Sequence, residues 1–90
     1  MTGKGAYAIR VKRSAEKEID RLPQEVSKRI TEAILELETN PRPHGCKKLR
    51  SMEEYRIRVG PYRILYLIID ERKIVEIVAV GHRRDVYREL

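Results

Sequence analysis

Apolar residues alternate with polar ones along some stretches of this chain and recur every three or four positions along others. Tyr7, Ile9 and Val11 alternate with Ala8, Arg10 and Lys12, which is the period of a half-buried strand. Ser14 is a natural N-cap, because its hydroxyl can accept a free backbone N–H at a helix start. Ala15, Ile19 and Leu22 then fall at helical spacing. Pro23 ends that helix and can begin the next, since a first turn needs no donor there. Val26, Ile30, Ala33, Ile34 and Leu37 form an apolar stripe at i, i+4, i+7, i+8 and i+11. Thr39-Asn40-Pro41 stops it. The short break at Leu22-Pro23 implies an antiparallel helical pair.

Residues 41–53 contain Pro41, Pro43 and Gly45 among polar side chains and are predicted to form a loop. A strand over 54–59 follows, where Tyr55, Ile57 and Val59 alternate with Arg56 and Arg58. Gly60-Pro61 breaks the pattern. Glycine can take the positive φ a tight hairpin needs at its first central position, and proline fits the second. With those two residues as the turn, Val59 faces Tyr62 and Arg58 faces Arg63. Cross-strand partners share a face, so Arg56, Arg58 and Arg63 crowd one side of the sheet. The strand over 62–69 is apolar from Ile64 to Ile69, as expected for a central strand covered on both sides for part of its length. Asp70 to Lys73 reads as a polar hairpin loop and Ile74 to Val80 as the last strand. Gly81 is expected to break it, with a short turn or helix over Val86 to Leu90.

The order is β-αα-βββ. It predicts an α+β fold in which a helical hairpin packs on one face of a mainly antiparallel sheet. Ninety residues make one small domain, 1–90, with no room for a second core. Val59, Tyr62, Ile64 and Tyr66 should meet the helices. The other face carries the arginines and is expected to be open for binding.

Charge sharpens this picture. The formal net charge is +6, which favours an anionic partner, with nucleic acid the leading candidate. The aromatic set is five tyrosines with no Phe or Trp. Tyrosine packs like phenylalanine but keeps a polar tip, which suits the edge of a wet site. The single cysteine, Cys46, cannot form an internal disulfide, and no histidine cluster surrounds it, so a zinc site is not expected. A reducing cytoplasm fits. Lys4 has no apolar run behind it, so no signal peptide is expected. The longest apolar run is too short to span a bilayer, so no membrane partner is expected.

Placing three like charges together costs stability, so the cluster suggests an anion is held there. Guanidinium groups bind phosphate bidentately and stay charged at any working pH. Outer-face arginines are also common in strands that bind nothing, and spacing alone leaves both readings open. Lys47, Lys48 and Arg50 in the preceding loop are candidates to grip a phosphate backbone, or are ordinary loop surface. His44 and Cys46 carry no expected role.

The run Lys-Leu-Arg, then Tyr-Arg-Ile-Arg-Val-Gly-x-Tyr-Arg, a strand ending in Val-Gly, and a closing His-Arg-x-x-Val-Tyr resembles the RelE branch of the RelE/ParE toxin superfamily. The resemblance implies a toxin of a toxin–antitoxin pair that cuts mRNA in the ribosomal A site, against rRNA, by attack of the ribose 2′-OH on the adjacent phosphate. It implies no cofactor or metal and a small acidic antitoxin as partner. By this resemblance, Arg56 and Arg58 match two basic residues before the turn, which are lysines in well-known members. The position of Arg58 is associated with activating the 2′-OH. Arginine is a poor general base, so Arg58 is expected to position the phosphate while water or rRNA takes the proton. Arg63 matches the phosphate-stabilising arginine, Arg83 the residue assisting the leaving 5′-oxygen, and Tyr87 the tyrosine that stacks on a base. His82 is of a residue type suited to general-acid work, but it neighbours Arg83 and would point to the opposite face of an extended strand. The rival implication of the superfamily is a ParE-like inhibitor of DNA gyrase that cuts nothing.

Overall fold

The computed structural model describes residues 6–49 and 54–82. Strand β1 (Ala8–Val11) leads into helix α1 (Arg13–Asp20), and α2 (Gln24–Glu36) follows after a short break at Pro23. Strands β2 (Lys47–Leu49), β3 (Glu54–Val59), β4 (Tyr62–Ile69) and β5 (Ile74–His82) complete a sheet of order β1-β5-β4-β3-β2. Only the β1–β5 pair is parallel. The mainly antiparallel sheet with a helical pair on one face is the architecture the sequence pattern predicts. Among the described residues, no helix is long and apolar enough to cross a membrane.

The apolar stripe of α2 supplies the helical side of the core. Ile30, Ile34 and Leu37 are buried, with Val26 and Ala33 at its margin. They meet Tyr55 and Ile57 of β3, Ile64, Tyr66 and Ile68 of β4, and Val75, Ile77 and Val80 of β5. Burying one such aliphatic side chain is worth about 1.5–3 kcal/mol, so this layer is what fixes the helices on that face. Val59 and Tyr62 pack at its edge, as expected. A smaller cluster lies on the opposite face, where Leu65 and Ala79 are buried against Leu49 and Val78. That second cluster explains why β4 is apolar on both sides.

Three local expectations are corrected. Ser14 is not the N-cap: it lies inside α1, and Lys12 occupies the cap position with no side-chain cap bond. Strand and helix join directly, because the Lys12 N–H still donates to the Ile77 carbonyl while the Lys12 carbonyl already accepts from Glu16. Residues 41–53 are not all loop, since β2 pairs with β3 in the register Lys47↔Arg56. Gly45, at φ +94°, redirects the chain just before it. A three-residue edge strand carrying two lysines gives little sequence signal, and short lysine-bearing edges are how sheets discourage further pairing. Gly81 does not break β5, which runs on through His82 because Arg63 and Tyr62 of β4 extend far enough to pair with both. The expected turn over Val86 to Leu90 lies outside the described residues.

Candidate nucleic-acid interface

The β3–β4 hairpin creates the site. Gly60 takes φ +61°, the left-handed value a two-residue hairpin turn demands at its first central position. That turn fixes the register Val59↔Tyr62 and Arg58↔Arg63. Tyr55, Ile57 and Val59 are spent on the core, so Arg56 and Arg58 are forced onto the other face.

That face is organised in rows across the strands. Arg58, Arg63 and Gly81 form the row nearest the hairpin turn. Lys47, Arg56, Leu65 and Ala79 form the next. Further along, Leu49, Glu54, Leu67, Glu76 and Arg10 share a row, with Arg10 and Glu76 3.9 Å apart. The face is therefore polarised: four cations gather in the two rows at the hairpin end, Leu65 and Ala79 continue the second of those rows, and Glu54 and Glu76 sit at the far end, where Arg10 pairs with Glu76. A strand of phosphates would be drawn to the cationic end.

The arginines are not equally accessible. Arg58 is exposed, whereas Arg56 and Arg63 are only 9% and 7% exposed and both are engaged by neighbours. The expectation of a uniformly open face is corrected accordingly. Arg56 lies between Lys47 and Leu65, and Arg63 occupies an inner strand between β3 and β5. An arginine held this way has lost its rotamer freedom before any ligand arrives, which favours a defined phosphate geometry.

His82 sits elsewhere. It pairs with Tyr62 in the sheet, and the two rings meet edge to face with centroids 6.0 Å apart. Tyr62 packs on the helix-facing core, so His82 is on the face opposite the arginines. Lys48 pairs with Tyr55 and likewise alternates away from Lys47. Arg50, Arg83 and Tyr87 lie outside the described residues. Among the described residues, no group of three or more His, Cys, Asp and Glu could hold a metal ion.

One polar network is invisible to sequence patterning. Arg42 donates through Nε to the Tyr55 hydroxyl at 3.0 Å and through an Nη to Asp70 at 3.0 Å, and its guanidinium lies 5.2 Å from the centre of the Tyr55 ring. Tyr7 donates its hydroxyl to the same carboxylate at 2.7 Å. Hydrogen bonds from Arg42 and then Tyr7 hold the Asp70 carboxyl below its ordinary range, and the Asp70 bond in turn raises the Tyr7 phenol. Tyr66 donates to the buried Pro41 carbonyl at 2.7 Å, and its burial pushes its ionisation upward. Together these bonds tie the segment after α2 to the sheet. That segment, Pro43 to Lys47, lines an open pocket with Ala33, Glu36 and the β3 residues Arg56 to Arg58. Neither Arg42 nor Glu36 had a signal in the sequence, since each sits among ordinary charged surface residues.

Comparison with known proteins agrees with this architecture. Residues 9–87 match the family model described as the ParE toxin of the type II toxin–antitoxin system parDE. The toxin RelG of Mycobacterium tuberculosis is 33% identical over 84 residues, covering 91% of this chain and 97% of the relative. The mRNA interferase toxin RelE of Escherichia coli is 32% identical, covering 93% of each chain. Among solved structures, the isolated E. coli RelE toxin superposes with a TM-score of 0.76 at 32% identity, covering 93% of this chain and 94% of that one. The RelBE2 toxin–antitoxin complex of M. tuberculosis gives 0.77 at 30% identity, covering 91% and 97%. The chain thus belongs to the RelE/ParE toxin superfamily, as a RelE-type toxin of a toxin–antitoxin system.

Proposed function

We propose that this toxin, as one domain over residues 1–90, is a cytoplasmic endoribonuclease that cuts mRNA in the ribosomal A site. The ribose 2′-oxygen attacks the adjacent phosphorus, the 5′-oxygen leaves, and the products are a 2′,3′-cyclic phosphate and a 5′-hydroxyl. The observation that carries this reading is the register pairing of Arg58 with Arg63 beside Arg56 and Lys47, at the cationic end of a polarised face. Fixed guanidinium groups stabilise charge that builds on the phosphoryl oxygens during such a transfer.

In this reading Arg63 holds the scissile phosphate, and its restricted setting pre-orders it. Arg58, exposed and always charged, positions the phosphate and does not take the proton, which passes to water or rRNA. Arg83 stabilises the charge on the leaving 5′-oxygen, which takes its proton from water, and Tyr87 stacks on a base. Lys47, Arg50 and Arg56 grip the RNA backbone, whereas Lys48 shares the opposite face with Tyr55 and stays outside that grip. His82 stays outside the reaction, because it shares a face with Tyr62 and not with the arginines. E. coli RelE carries the name mRNA interferase, which supports the same activity here. Related toxins are solved in complex with RelB antitoxins, and we assign this chain an antitoxin partner of that kind, small and acidic to match a +6 toxin.

The family model's ParE description favours a second reading, a gyrase inhibitor that cuts no RNA. Expression of the toxin separates the two. Translation arrest with cuts inside ribosome-bound codons supports the nuclease. Supercoiling defects and DNA breaks with intact mRNA support the inhibitor.

A further inference from the structure

The pocket beside the arginine face borders the proposed site through Lys47, Arg56 and Arg58, and its remaining walls have no part in the proposed chemistry. Its walls are the end of α2 at Ala33 and Glu36, the Pro43–Lys47 segment, and the edge of β3 from Arg56 to Arg58. Its volume is about 580 Å³, within the range of about 300–1,000 Å³ typical of small-molecule sites. It exists because β2 begins only at Lys47, opposite Arg56. Beyond that point the outer edge of β3 faces the 43–46 segment instead of a strand. The segment is pinned by Tyr66 on Pro41, by Arg42 on Tyr55 and Asp70, and by the Cys46 N–H on the Pro43 carbonyl.

The lining has three kinds of chemistry. Lys47 and Arg58 are exposed cations at the mouth shared with the arginine face. Pro43, Ala33 and the ring of His44 offer flat or apolar surface. Glu36 is exposed and supplies a carboxylate, which can only accept hydrogen bonds. One cationic mouth, a flat wall and one acceptor match a nucleotide better than a bare anion, which the carboxylate would repel.

We propose that this pocket seats one nucleotide of the same single-stranded RNA, next to the nucleotides held by the arginine face. This rests on the RNA-cleaving reading above. The nucleotide's phosphate lies at Lys47, beside the scissile phosphate that Arg58 positions. The base packs against Pro43 and His44, as unpaired bases do on rings of protein side chains. Glu36 accepts from the base edge. An adenine presents an amino group to a carboxylate, whereas the single N–H of uracil is flanked by two carbonyls. The pocket therefore favours adenine over uracil at that one position.

Cys46 is the only cysteine of the chain, half-buried against the core and part of the pocket lining, so an occupant of the pocket covers it further. The experiment measures alkylation of Cys46 in the full chain with non-cleavable 2′-O-methyl oligoadenylate or oligouridylate, with fluorescence anisotropy as the measure of total binding. Oligoadenylate at about nine times its dissociation constant is expected to slow alkylation about tenfold, the fall that nine-tenths occupancy produces. Oligouridylate protects less, Glu36→Gln narrows the difference, and both Lys47→Glu and His44→Ala weaken protection. Binding without protection of Cys46 overturns the pocket and leaves the nuclease reading intact, as programmed ribosomes cut in parallel will show. Absence of oligonucleotide binding also overturns it. Protection in a protein that leaves ribosome-bound mRNA uncut keeps the pocket and removes the nuclease reading.

Discussion

Arg58 and Arg63 stand directly opposite each other across the β3–β4 hairpin, one exposed and the other 7% exposed. Their like charges share a face, but their settings differ, so truncation should separate binding from stability. Arg58→Ala is a surface change and should leave the unfolding free energy in urea within about 0.5 kcal/mol of wild type. Arg63→Ala removes a nearly buried, engaged side chain and should cost about 1 kcal/mol or more. Both should lower single-turnover cleavage on programmed ribosomes, Arg63→Ala by at least about 100-fold, the loss of one oriented donor to a developing oxyanion. Arg63→Lys should stay impaired, because a point charge cannot replace a bidentate fork. A folded, fully active Arg63→Ala removes this residue from the site.

The hairpin was readable because its determinants are local. Gly60-Pro61 sets the turn, the turn sets the register, and alternation then assigns every side chain from Tyr55 to Tyr66 to a face. The α2 stripe was legible for the same reason. What the pattern missed depends on contacts distant in sequence. Lys12 displaces Ser14 as cap because β5, some 65 residues later, still holds its amide. The β2 strand exists because β3 offers it an edge. The burial of Arg56 and Arg63, and the pocket behind Lys47, arise from packing that no periodicity encodes.

His82 gives a second test of face assignment. It pairs with Tyr62, away from the arginines. His82→Gln should therefore change the cleavage rate by less than about tenfold, under 1.4 kcal/mol, and the wild-type rate should be nearly flat between about pH 6 and 8. A rate that follows one ionisation near neutral pH, and loses it in His82→Gln, makes His82 the general acid instead.

Asp70 should contribute an acid-labile increment of stability. Arg42 and Tyr7 hold its carboxyl below the ordinary range, so folding favours the ionised form. The contribution is complete above the ordinary carboxylate pKa of about 3.9 and is lost as pH falls through the lower folded value. Both Arg42 and Asp70 are solvent-accessible, so the increment is small. Urea unfolding of wild type should weaken more on acidification below about pH 4 than that of Asp70→Asn. Identical pH slopes contradict the role assigned to this bond.

Tyr66 anchors the segment that lines the pocket. Tyr66→Phe keeps the ring in the core but leaves the buried Pro41 carbonyl without the hydroxyl that bonds it at 2.7 Å. The expected loss is about 1–3 kcal/mol in equilibrium unfolding. An unchanged stability shows that this bond is not what holds the segment.

The most direct test of the central claim is the fate of a single ribose oxygen. On ribosomes programmed with one mRNA, the purified toxin should yield a 5′ fragment ending in a 2′,3′-cyclic phosphate and a 3′ fragment beginning with a 5′-hydroxyl. A lone 2′-O-methyl group at the cut nucleotide should abolish that cut while neighbouring substitutions do not. Cleavage that survives the methyl group and leaves a 5′-phosphate contradicts 2′-oxygen attack at the arginine face, and mRNA that stays intact contradicts the nuclease altogether.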